Sequence, residues 1–244
     1  MGNLVVLGVV LWSAAAPAGA QQAPLSAPPP SGTQPPAASA PVTRLGDNLF
    51  RVGNVRVDLK KREISVPGKV NEAQVLEFIA TTQGGFKSYE SALELETNAV
   101  NFNTALILIG LDKANAVVPR QHFDPIPPAG DPVEIWVEWD ATGGPRRVKA
   151  EQLVYNAETR QTLAEGPWVY TGSTFMAGTN AYMAEMDGTL IGFVHTPSPI
   201  IENPAPLTAG PFGANRLNPS LQLTPGTRVV LTVRALPLAK PRPE

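Results

Sequence analysis

Lys87-Ser-Tyr-Glu-Ser-Ala-Leu-Glu-Leu-Glu-Thr-Asn-Ala-Val-Asn-Phe-Asn-Thr-Ala-Leu-Ile-Leu-Ile-Gly-Leu111 decides how this chain folds. Leu93 and Leu95 alternate with Glu94 and Glu96, the period-two pattern of a half-exposed strand. Asn98 follows, and its side-chain oxygen suits the otherwise unpaired amide protons of a first helical turn. Phe102, Ala105, Leu106 and Ile109 then recur at helical spacing. Ile107 and Leu108 make the helix apolar nearly all round, so burial on several sides is expected. Gly110 followed by Leu111 fits a left-handed C-cap with an apolar clasp. The stretch predicts a strand and a buried helix back to back, with Glu90 just ahead of the strand.

Working outward, Val55, Val57 and Leu59 alternate with Arg56 and Asp58, and Ile64 and Val66 resume after the polar Lys60–Glu63 turn. That pattern predicts a hairpin. Gln74 to Ala80 reads as a more buried strand that ends at the Gly84-Gly85 break. Beyond the helix the chain is β-rich. A proline-punctuated loop, 119–132, leads into Val133, Ile135, Val137 and Trp139, alternating with Glu134, Trp136 and Glu138. Gly143-Gly144 turns this strand towards a second one expected over Val148–Tyr155. Trp168–Phe175 reads as a strand interrupted by glycine, and Ala181–Met186 with Asp187-Gly188 and Thr189–Val194 as a hairpin. A last strand is expected over Arg228–Leu236, and no internal repeat is present. The fold class expected is α+β: a mostly antiparallel β-sheet domain with one buried helix near 98–110.

Composition narrows the chemistry. The 244 residues allow one large domain or two small ones, and 43% hydrophobic content is enough for a core. A formal net charge of −2 argues against nucleic acid or an anionic membrane as the main partner. Arg146, Arg147 and Lys149 form a short basic patch that reads as a solvated strand face. There is no cysteine, which excludes thiol nucleophiles, disulfides and Cys-ligated zinc or iron–sulfur clusters.

The N-terminal organisation points to export. An apolar run, Leu4–Trp12, precedes small residues ending Ala18-Gly19-Ala20, the pattern of a secretory signal peptide over 1–20. The run is too short to span a bilayer, its n-region lacks Lys or Arg, and no cysteine follows for a lipid anchor. An uncleaved anchor is the rival reading. Residues 21–43 are rich in Pro and Ala, with no charge before Arg44, and are expected to form a disordered spacer. The folded domain is expected over 44–237, with a flexible tail over 238–244. These features place the chain in the periplasm or outside the cell, with no membrane contact after signal cleavage.

Few groups stand out as candidates for catalysis. The two histidines, His122 and His195, are too few for a metal site, so no metal and no cofactor are expected. His122-Gln-Phe-Asp124 offers one imidazole and one carboxylate, which fits a surface or structural role; His195, before Thr196-Pro197, fits a hydrogen-bonded turn. Gly172-Ser173 lacks the Gly-x-Ser-x-Gly elbow, because Phe175 stands in place of the second glycine. No phosphate loop, dinucleotide-binding glycine triplet or HExxH pattern occurs. If the chain is an enzyme, the candidate catalytic residues are Glu90, Asn103, Ser173 and Asp187. A general acid or base among them would need a partner and a perturbed pKa.

Several stretches together resemble the YdjY family of exported bacterial envelope proteins. They are Tyr89-Glu-Ser91 with Ala105–Gly110, Val133–Trp139 with Gly144–Val148, Trp168–Ser173, Asp187-Gly188 with Leu190-Ile191, and Pro225-Gly-Thr227. The resemblance covers roughly residues 50–236 and implies an envelope location but no established activity. It also implies histidines at the positions of Tyr89 and Asn103, where their replacement removes a plausible metal set. The function expected is a non-catalytic binding or envelope-structural module for an unknown protein or small-molecule ligand. The alternative is a hydrolase-type enzyme using Glu90 with nearby Asn103, Ser173 or Asp187.

Overall fold

The structure is a computed structural model that describes residues 39–205 and 213–238. In chain order its elements are β1 (Val42–Gly46), β2 (Leu49–Val52), β3 (Val55–Asp58), β4 (Glu63–Val70), β5 (Phe78–Thr82), β6 (Ser91–Leu95) and α1 (Ala99–Leu108). Then come β7 (Asp131–Ala141), β8 (Gly144–Lys149), β9 (Val154–Asn156), β10 (Gln161–Thr162), β11 (Trp168–Tyr170) and α2 (Met183–Asp187). The last are β12 (Thr189–Gly192), β13 (Ile201–Glu202), β14 (Asn215–Leu217) and β15 (Arg228–Ala235). The expected signal peptide and all but the last five residues of the 21–43 spacer lie outside the described residues, as does all of the tail except Leu238.

The sheet closes on itself. Strands follow the order β4, β15, β7, β11, β13, β12, β5 and β6, and β6 pairs back onto β4 through Val70 opposite Leu93 and Gly68 opposite Leu95. The domain is therefore β-rich and compatible with α+β, but the mostly antiparallel sheet is corrected to a closed eight-strand barrel. Two of its seams, β5–β6 and β12–β13, are parallel. Closure removes the edges that an open sheet would leave unpaired. Alternation supplies the interior. Val66, Leu93, Val137, Leu231 and Val233 are fully buried, while Lys69, Val230 and Glu138 on intervening positions face outward.

Strand β4 serves two neighbours on one side, β3 at its start and β6 at its end. The β1–β2–β3 meander therefore projects from the barrel, and α1 packs between it and the barrel end where β4 begins. Both caps of α1 form as expected. Asn98 Oδ1 accepts the Asn101 amide at 2.8 Å. Gly110, at φ 87°, donates to Ile107, and Leu111 to Leu106, which satisfies carbonyls left free by the last turn. A second acceptor also reaches the helix start: Glu185 Oε2 takes the amides of Ala99 (2.8 Å) and Val100 (3.3 Å). Asn98→Ala is expected to cost about 1 kcal/mol, read as a lowered urea midpoint with an unchanged slope.

Four local expectations need correction. Ala181–Met186 is not a hairpin strand; the chain enters helix α2, and Gly188 at φ 69° is its left-handed C-cap. An Asp-Gly pair supplies a positive-φ glycine, which ends a helix as readily as it turns a hairpin. Val148–Tyr155 is broken by a 3-10 turn at Ala150–Leu153, and Trp168–Phe175 keeps only β11, because Gly172 and Ser173 both adopt positive φ. Helix α1 is not covered on every side either: Ile107 is 54% and Leu108 38% exposed.

Candidate functional site

A short crossover sets the position of Glu90. Parallel strands usually need roughly a dozen residues to reconnect, whereas 83–90 join β5 to β6 through Gly84 at φ 68° and a 3-10 turn, Phe86–Glu90. With Ser91 opposite Phe78, Glu90 lands against the residue before β5. The Glu77 amide donates to the Glu90 carbonyl at 2.9 Å. The Glu90 side chain is buried and its Oε1 takes Lys87 Nζ at 2.6 Å. Burial works against the charge on Lys87, but Glu90 and Tyr89 outweigh it and raise its pKa.

Glu77 completes a cluster that the sequence alone did not single out. It is also buried, with Oε2 3.1 Å from Nε2 of the half-exposed His122 and Oε1 without a partner among the described residues. Burial first, and the Glu90 charge second, raise its pKa; His122 and Lys87 pull the other way. Two carboxyls thus sit in neighbouring but unlike surroundings, one paired with an ammonium and one inclined to hold its proton. The signal for Glu77 in the sequence was a lone charge inside an apolar run, Val75–Ala80, read there as part of a buried strand.

The other candidates lie elsewhere. Asn103, on α1, accepts the Tyr170 hydroxyl at 2.7 Å. Burial, with the charges of Asp112 and Asp131, pushes Tyr170 up to about 12, so it stays a donor. Ser173 donates to the Ser198 carbonyl at 2.7 Å from a left-handed backbone, which holds the segment before β13. Asp187 ends α2. None of these three is a hydrogen-bond partner of Glu90. Tyr89 stands beside the start of β6 and takes a bond from Lys87, while Asn103 lies on the helix past the end of that strand and bonds Tyr170. Among the described residues no three His, Asp or Glu side chains are grouped to hold a metal ion.

A separate feature marks the outer face. A groove of about 660 Å³ runs over β15, β7 and β8, lined by Trp139, Arg146, Arg147 and Arg228 among others. Arg147 lies 4.5 Å from the centre of the Trp136 ring and pairs with Glu138 at 2.9 Å. Arg228 pairs with Glu96 at 2.7 Å. Arg146 lies 5.7 Å from the Trp139 ring centre. The patch read as a solvated strand face is therefore ordered by stacking on tryptophan, with its guanidinium groups open to solvent.

The model of the YdjY domain matches residues 55–234, from the first residue of β3 to one short of the end of β15. The chain belongs to the YdjY family. No curated protein and no solved structure matches it. In this YdjY domain the matched span contains every strand of the barrel, and β1 and β2 lie before it. The matched span also contains Glu77, Lys87, Glu90 and His122, so the acid cluster belongs to the domain itself.

Proposed function

We propose that this YdjY domain is an exported, non-catalytic binding module, and that its ligand seats in the groove over β7, β8 and β15. One observation carries the reading. Asn103, Ser173 and Glu90 are each held in bonds that build the fold, and they do not converge on one another. Enzymes of hydrolytic type bring such groups together around a reacting atom. The groove instead offers guanidinium groups on a rigid sheet, a fit for a ligand bearing carboxylates or phosphates. The Leu4–Trp12 run and the spacer after it support export to the envelope.

A second reading, hydrolysis by Glu90, is favoured by one specific fact. Glu77 is its neighbour, with a raised pKa and an oxygen that has no partner among the described residues, as a general acid would be. Native mass spectrometry of the full chain purified from its own envelope separates the two. A bound species is expected on the wild type and on Glu90→Gln, and is expected to be lost from the Arg146→Ala/Arg147→Ala/Arg228→Ala variant. Loss on Glu90→Gln with retention on the arginine variant would transfer the argument to the acid cluster. A bare wild-type chain would sink the binding module.

A further inference from the structure

The chain has two histidines, and both hold the same loop. His122 lies in the loop and reaches out to Glu77 at 3.1 Å. His195 lies outside it, between β12 and β13, and reaches in. Its Nδ1 is 3.1 Å from the carbonyl of Asp124, and its Nε2 is 3.0 Å from that of Asn203 and 3.1 Å from that of Ala205. The Asp124 amide returns a bond to the His195 carbonyl at 3.2 Å. The His195 ring is fully buried and its backbone is left-handed, at φ 54°. Holding a non-glycine residue there costs on the order of 1 kcal/mol, which the bonds around it must offset.

The ring faces acceptors only. A neutral imidazole has one N–H and one lone pair, so it can satisfy the Asp124 side or the Asn203 side but not both. The doubly protonated ring satisfies both. The His122–Glu77 contact likewise becomes an ion pair only when the imidazole carries its second proton. Imidazoles change charge within the physiological range, and here both would act in the same direction.

The charged groups around the two rings are few. Facing His122 is Glu77, with Glu90 and Lys87 behind it on the crossover. Within the loop, the Asp124 carboxylate is engaged by the amides of Arg120 and Ile126, and by the Arg120 side chain at 3.7 Å. Near His195 on the barrel side is Glu202, whose Oε1 takes the Thr196 amide and whose Oε2 has no partner among the described residues. Burial holds Glu202 toward its protonated form, whereas at Glu77 the His122 charge works against the burial that raises its pKa.

We propose that the loop Arg120–Ile126 is a proton-operated clasp, fastened to the barrel when His122 and His195 are doubly protonated and loosened when they lose that proton. Loosening bares the buried Glu77 carboxyl, so the clasp governs water access to the acid cluster. The proposal does not depend on whether that cluster catalyses anything.

Amide exchange on the full chain tests it, with rates corrected for the intrinsic dependence on pH. Between pH 5.5 and pH 8, protection over 120–126 is expected to fall at least tenfold while β7 and β15 keep theirs. His122→Gln, on the exposed side of the contact, is expected to fold normally and to lose part of that change. Nitrogen chemical shifts of the His195 ring are expected to show two N–H groups at pH 5.5 and one at pH 8. Protection that does not change with pH would overturn the clasp, as would a single neutral His195 tautomer throughout. A pH response that survives in His122→Gln and His195→Gln but vanishes in Glu202→Gln would overturn it too, by assigning the effect to the carboxyl.

Discussion

Glu202→Gln is expected to stabilise the protein at neutral and alkaline pH, by about 2–3 kcal/mol at pH 7, and to flatten its stability between pH 5 and pH 8. Glu202 has no exposure to solvent. One oxygen accepts the Thr196 amide at 3.1 Å and the other has no partner among the described residues. Burial raises its pKa from 4.5 to about 8, against the smaller opposing effect of backbone donors at Thr196 and His195. The sign follows from proton counting. Below pH 4.5 the carboxyl is protonated in both folded and unfolded chains, and nothing is lost. Between 4.5 and about 8 the unfolded chain gives up a proton that the folded one keeps, so stability falls as pH rises. Each unit costs about 1.4 kcal/mol, which amounts to about 3 kcal/mol at pH 7.

Glutamine keeps the acceptor for Thr196 and removes the charge. Its amide nitrogen inherits the position without a partner, which costs about 1 kcal/mol and sets the lower end of the expected gain. Near pH 4.5 the variant should match the wild type or fall slightly below it. Urea unfolding at pH 5 and at pH 8 gives the answer directly, since the difference between the proteins should grow with pH. Parallel curves for the two proteins would mean that Glu202 ionises in the folded state at an ordinary pH, and the account of its burial would fail.

The features legible in the sequence are those that local bonding determines. Asn98, Gly110 and Leu111 name both ends of α1 because each cap is built within a few residues of the helix. The β3–β4 hairpin was visible for the same reason: Asp58 and Glu63 stand opposite one another across a short polar turn. Barrel closure was not visible. It rests on pairing Val70 with Leu93 while Glu63–Ser65 of the same strand pairs with β3, and alternation along β4 is identical whichever partner each half takes. The same limit applies to the site. Glu90 stood apart because it precedes a strand, but Glu77 sits within an apolar run and Glu202 directly after Ile200-Ile201, and their partners His122 and Thr196 are brought up by loops. A lone acid in a buried run is a signal only once its surroundings are known to be closed.

Gly130→Ala is expected to be the most damaging small substitution in the barrel, costing at least about 3 kcal/mol and leaving little folded protein in the soluble fraction. Gly130 immediately precedes β7, whose first residue, Asp131, pairs with Tyr170 of β11. A methyl group built on Gly130 would stand 2.0 Å from the Tyr170 carbonyl oxygen and 2.9 Å from its carbon. Those are backbone atoms of a three-residue strand held on its far side by β13, so they cannot swing aside as a side chain would. Relief requires β7 and β11 to part at one seam of the barrel, and Tyr170 would carry its bond to Asn103 with it. Loss of that bond uncouples α1 from the barrel end, so the damage spreads beyond one seam. Gly143→Ala is the control, since a methyl there meets nothing within 4 Å. The two variants differ by the same single carbon, so a thermal midpoint that drops only for Gly130→Ala isolates the close approach. Equal midpoints would show that the β7–β11 seam can open without cost, and that the barrel is not the cooperative unit its pairing implies.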